Sequence, residues 1–129
     1  MFDYGLLQGV RDGWLVRPIA QTVPVKVDMR SIRVKKGPGG VDLDAVEVAR
    51  RLEPFLAEIA GKLIEHASDR KTLVFLPSVD TAITLAEKLR GLGVAADFVA
   101  GDLARCPDRH ARIERFRRGE TRFMANAML

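Results

Sequence analysis

The stretch KTLVFLPSVDTAITLAEKLRGLGVAADFVAGDLARCPDRHARIERFRRGETRFMANAML, Lys71 to Leu129, decides the fold. Its pattern reads strand, helix, strand, helix, strand. Leu73 to Leu76 are continuously apolar, as in a strand covered on both faces, and the run breaks at Pro77-Ser78 into a helix. In that helix Ala82, Leu85, Ala86, Leu89 and Leu92 recur at the spacing of one buried face. Ser78 or Asp80 supplies its N-cap, and Gly93 the left-handed residue that stops it. A second strand follows at Ala96 to Ala100, then a helix from near Pro107 to Gly119, then a third apolar strand from Phe123 to Leu129. Strand, crossover helix and strand in this order imply right-handed parallel units. The expected class is therefore α/β, a parallel sheet with flanking helices, preceded by an N-terminal extended or hairpin segment.

Upstream, Phe2 to Asp12 reads as a short helix and Trp14-Leu15-Val16 as a brief strand or extended piece, with Trp14 a packing anchor or, alternatively, a stacking platform. Val23, Val25, Val27 and Met29 alternate with the period of a half-buried strand, which Arg30 to Lys36 continues or returns as a hairpin arm. The GPGG at Gly37 to Gly40 lacks the GK[ST] ending of a phosphate-binding loop and reads as a flexible surface loop. Asp42 or Asp44 caps a helix carrying Val46, Ala49 and Leu52. Pro54 divides it from a second helix, Phe55 to His66, whose Leu56, Ile59, Leu63 and Ile64 face inward, and Ser68-Asp69 is the turn before the first strand.

At 129 residues the chain is about one domain, 47% apolar and 29% charged. No apolar run suggests a membrane span and no signal-peptide pattern opens the chain, so the expected compartment is the cytoplasm, without a membrane partner. One cysteine, Cys106, excludes an internal disulfide, and Cys106 with His110 does not complete a metal site. Seven arginines between Arg105 and Arg122 face only Asp108, Glu114 and Glu120, which accounts for the whole net charge of +4. That basic segment is the footprint expected of a phosphate-backbone binder or, alternatively, of a solvated helix face.

In an open parallel α/β sheet, ligands bind beyond the carboxyl ends of the strands. Pro77 to Asp80, Gly101-Asp102 and Asn126 to Leu129 fall there. Ser78 can donate to a phosphate oxygen beside the first helical amides, or serve as a plain N-cap. Gly101 lets a backbone approach closely, or simply serves a tight turn. Arg109 shares a stripe with Ile113 and Phe116, which places it on or beside the buried side at the crevice end of its helix, where an arginine either snorkels or holds an anion. Arg117 and Arg118, in the last turn, read as surface residues.

The order LVFLPSVDTA, helix, strand, GD, then DRHARIERFRRGETRFMANAML resembles the second RecA-like lobe of superfamily-two helicases and translocases, closest to phage and type I restriction-like DNA helicases. VFLPSVD is similar to motif IV and ANAML to the start of motif V. DYGLLQGVRDGWLVRPI resembles the connection out of the first lobe. The resemblance divides the chain into an inter-lobe connection, 1–22, and a truncated second lobe, 23–129. It implies that Ser78 and Val79 touch the backbone of a single DNA strand, that Gly101 approaches it, and that Arg109 corresponds to the nucleic-acid-contacting arginine of the QxxR motif. Cys106 stands at that motif's glutamine position. Near Ala127, where the family has Thr or Ser, contact is through the backbone alone.

The resemblance also implies what this stretch does not carry. Walker A and Walker B belong to the first lobe and the arginine finger to a later motif, so ATP and Mg²⁺ bind the parent, with no cofactor in this chain. The expected function is a piece of an ATP-dependent DNA helicase, paired with a first RecA-like lobe and not catalytically competent alone. Because the last strand is apolar to its end, the chain reads as cut inside a domain, with a sheet edge through which a non-native dimer can form. The rival readings are a free-standing Rossmann-like module docking an acidic partner and a small α/β enzyme.

Overall fold

A computed structural model describes residues 4–38, 40–67 and 69–127. Phe2 and Asp3 of the expected first helix, Gly39 of the glycine loop, Ser68 of the expected turn, and Met128 and Leu129 of the expected last strand lie outside the described residues.

The N-terminal third is thinly packed. Helix α1 (Leu6–Arg11) is followed by chain without regular structure up to β1 (Val34–Gly37), which pairs antiparallel with β2 (Gly40–Leu43). The hairpin therefore turns at the GPGG segment expected to be a loop, and the alternating Val23 to Met29 is not a strand. Alternation gave it one half-buried side, Val23, Val25 and Val27, but no described strand pairs with it. Trp14 is 81% exposed, so it is not the packing anchor its size suggested.

Helix α2 (Ala45–Leu52) starts where Asp44 accepts from the amides of Val46 (2.9 Å) and Glu47 (3.4 Å). Pro54 sits in a 3-10 turn, Glu53–Phe55, that bends the chain into α3 (Leu56–Ala67), as a proline near a helix start permits. The Asp44 carboxylate also meets Lys35 Nζ at 2.7 Å, which joins hairpin to helix, while Glu47 accepts from Arg33. The Lys35 bond holds the Asp44 carboxyl below the ordinary aspartate range, and the Arg33 backbone and side-chain bonds do the same for Glu47. Carboxyls so depressed stabilise the fold above their unfolded pKa values, near about 4, and lose that contribution as pH falls through the lower folded values. Urea midpoints measured between pH 6 and pH 2 should therefore decline through that range. Asp44→Asn, which keeps a capping side chain but not the charge, should decline less. An unchanged acid slope in the variant would show that the Lys35 contact contributes nothing.

The core lies between α3, α4 (Val79–Gly91) and a parallel sheet of β3 (Thr72–Leu76), β4 (Ala96–Val99) and β5 (Phe123–Ala127), in the order β3-β5-β4. The expected α/β class with helices flanking a parallel sheet is what the chain forms. Leu85, Ala82, Ala86 and Leu89 of α4 are buried as their spacing requires, but Leu92 is exposed beyond the helix end. Gly93 (φ 82°) and Gly119 (φ 83°) adopt the left-handed conformation that ends α4 and α5 (Arg109–Arg117).

In register, Thr72, Phe123 and Ala96 share one face with Val74, Ala125 and Phe98, and Leu73, Met124 and Asp97 share the other. The first face is covered by α3 and α4. On the second, Met124 is buried whereas Leu73 and Phe75 of β3 are exposed. Strand β3 is thus covered on one face, not on both as its unbroken apolar run suggested.

Candidate nucleic-acid interface

All three strands of the sheet are parallel, so their carboxyl ends lie along one edge. Strand β3 leaves that edge through Pro77-Ser78 into α4. Strand β4 leaves it through Gly101 into the loop before α5, whose Arg112 and Arg115 reach Asp97 on the opposite face of the sheet. The two exits diverge to opposite faces, with the end of β5 between them. This is the arrangement in which open α/β sheets form a crevice.

Ser78 caps α4. Its Oγ accepts from the Thr81 amide at 3.2 Å, and the Thr81 hydroxyl donates to the Ser78 carbonyl at 2.8 Å. Val79 is the first helical residue, and its side chain packs against the core, leaving its amide as the group aimed outward. Beside this terminus a cavity of about 260 Å³ opens between α2 and α4, lined by Arg50, Glu53, Ser78, Asp80, Thr81 and Thr84 among others. Gly101 is exposed at the other exit. Ala127 is 5% exposed with its side chain in the core, so only its backbone can meet a ligand.

Arg109 departs from the expected geometry. It is exposed at the first turn of α5, and the residues turned to the sheet are Arg112, Arg115 and Phe116. The stripe of Arg109, Ile113 and Phe116 fails because the buried aspartate of β4 draws Arg112 and Arg115 inward. Asp97 Oδ1 accepts from Arg112 at 2.7 Å and from Arg90 at 3.0 Å, and Oδ2 accepts from Arg115 at 3.0 Å. Arg112 also bonds Asp108 at 2.7 Å and lies over the Phe98 ring, 4.4 Å from its centre. Burial alone would lower the Arg112 guanidinium, yet the bond to Asp108 and the charge of Asp97 hold it above its ordinary value. The Arg112 bond correspondingly lowers the Asp108 carboxyl.

The basic segment is therefore mostly spoken for. Arg105 pairs with Asp80, Arg117 with Glu114 and Arg118 with Glu120, while Arg112 and Arg115 hold Asp97. Among the described residues nothing pairs with the Arg109 guanidinium. The Arg105–Asp80 pair, which raises the arginine's pKa, ties the loop after β4 to the start of α4. Cys106, fully buried, anchors the same loop into the core. Neither role was read from the sequence. Asp97 did carry a signal, a lone charge inside an apolar strand that burial obliges to find partners.

Among the described residues no group of three or more His, Cys, Asp or Glu side chains is placed to hold a metal, and no helix is long and apolar enough to cross a membrane. No protein-family model matches the chain, and no curated protein matches it.

Proposed function

We propose that this chain is part of the second RecA-like lobe of a superfamily-two DNA helicase or translocase, contributing contacts to the backbone of a single strand. ATP and Mg²⁺ bind the parent between this lobe and a first one, and the chain alone turns over no substrate. The order and spacing of the motif-like segments support this, as does a parallel sheet whose exits diverge around one crevice. The observation that carries it is Arg109, a guanidinium left without an acidic partner where its neighbours in the basic segment are paired, at the crevice end of α5. Ser78 and the amides of Val79 and Asp80 add donors of the kind phosphate oxygens accept.

Fluorescence anisotropy with a labelled single-stranded DNA tests it. Binding is expected to be weak and to fall steeply with salt, because each phosphate contact releases counterions. Arg109→Ala should lower affinity several-fold and reduce the slope of log affinity against log salt by about one. Arg117→Ala, whose guanidinium is already paired with Glu114, should do less. No binding at millimolar chain, or binding indifferent to salt, removes the nucleic-acid role.

A further inference from the structure

We propose that the outer edge of β3 is a self-association surface, through which two copies of this chain pair β3 with β3 antiparallel about a two-fold axis. It stands apart from the nucleic-acid reading and rests on how differently the two edges of the sheet are built. The backbone groups of successive strand residues point to opposite sides. The Thr72 amide donates to the Arg122 carbonyl, toward β5, at 2.9 Å, so the N–H and C=O of Leu73 and Phe75 point outward. Among the described residues no side chain makes a hydrogen bond to them. At the opposite edge the Phe123 amide donates to the Ala95 carbonyl at 3.1 Å, which turns Ala96 and Phe98 outward. There Arg90 Nε donates to the Ala96 carbonyl at 2.8 Å, Asp97 Oδ1 accepts from the Phe98 amide at 2.9 Å, and Arg112 Nη1 donates to the Phe98 carbonyl at 3.4 Å. Charged side chains close β4 against further pairing, as edge strands are commonly protected. Strand β3 has no such closure. Strand β5, the last in the chain, is central and offers no open edge.

The occupant is a second copy because β3 is its own complement. In an antiparallel pair centred on Val74, Leu73 of one copy lies opposite Phe75 of the other, and each such pair exchanges both of its backbone bonds. The outward groups of both residues are then satisfied at once. The axis runs perpendicular to the sheet, so Leu73 and Phe75 from both copies meet on the same face. These are the two β3 side chains left 54% and 61% exposed in the single chain. Apolar cross-strand pairs of this kind are stabilising, and Thr72 to Leu76 carries no charge that would oppose its copy. A contact in which each residue meets its partner reciprocally is what two-fold symmetry requires.

Sedimentation equilibrium on the chain from about 10 µM to about 1 mM should show a monomer passing to a dimer, the range expected for a small interface. Leu73→Lys and Phe75→Lys, both at exposed positions, should each weaken association roughly tenfold, since each substitution occurs twice across the axis. Mixing the Leu73→Lys chain with a Phe75→Glu chain should restore association, and mixing it with Phe75→Lys should not. In the unsubstituted chain, amide exchange at Leu73 and Phe75 should slow as concentration rises, while exchange at Phe98 stays constant. A monomer throughout the range overturns the proposal. So does a dimer indifferent to these substitutions, or protection of the Leu73 and Phe75 amides that does not depend on concentration.

Discussion

Asp97→Ala is expected to cost about 3 kcal/mol of folding stability, toward the low end for breaking a buried ion pair. The Asp97 side chain is 10% exposed and is the shared partner of three arginines from two helices. Removing it strands Arg112, whose side chain is only 18% exposed and which lies over Phe98, with Asp108 as its remaining anion. Arg90 and Arg115 are 47% and 37% exposed and can return to water, which is why the cost falls short of that for a fully enclosed cluster. The same substitution loosens α5 from β4, since Arg112 and Arg115 are the polar ties between them. Urea denaturation of the two proteins measures the difference. A loss below about 1 kcal/mol would mean that the arginines re-solvate freely and that Asp97 does not hold α5 in place. In that case the position of Arg109, one turn before Arg112 on the same helix, would lose its structural support as well.

That dependence marks where the sequence was readable and where it was not. The helices were legible because their signals are local: Asp44 and Ser78 as caps, Pro54 as a break, Gly93 as a stop, and the buried face of Leu85, Ala86 and Leu89. Strand order was not, because placing β5 between β3 and β4 depends on pairings between residues some fifty positions apart, such as Thr72 with Phe123. Apolar content also misled at β3. The unbroken apolar run of Leu73 to Leu76 looks covered on both faces, yet coverage is a property of which helices cross which face. With α3 and α4 on one side and α5 against β4, Leu73 and Phe75 face outward. At the candidate interface Ser78 could be placed from its position after a strand. The orientation of Arg109 could not, because helical spacing leaves the choice between its stripe and that of Arg112 and Arg115 to a charge on another element. Trp14 failed for a related reason: a large apolar side chain predicts burial only where a surface exists to bury it.

Phe123 and Phe75, two of the three phenylalanines of the sheet, lie on opposite faces of it. Phe123→Ala should cost about 4 kcal/mol, a large share of the roughly 5 to 15 kcal/mol that holds a small domain folded. Phe123 is fully buried on the central strand, facing α3 and α4, and its register neighbours are Thr72 and Ala96. Much of the surrounding core is alanine, at Ala60, Ala82, Ala86, Ala96, Ala125 and Ala127, so little side chain is available to move into the space left. A cavity that cannot collapse keeps the cost above the low end of the range for such truncations. Phe75→Ala, on β3 in the same sheet but on the open face and 61% exposed, should cost less than about 1 kcal/mol. Both can be read from urea midpoints on otherwise unchanged chains. Equal losses would contradict the division of the sheet into a covered and an open face. A large difference would support that division, with Phe75 outside the core that Phe123 anchors.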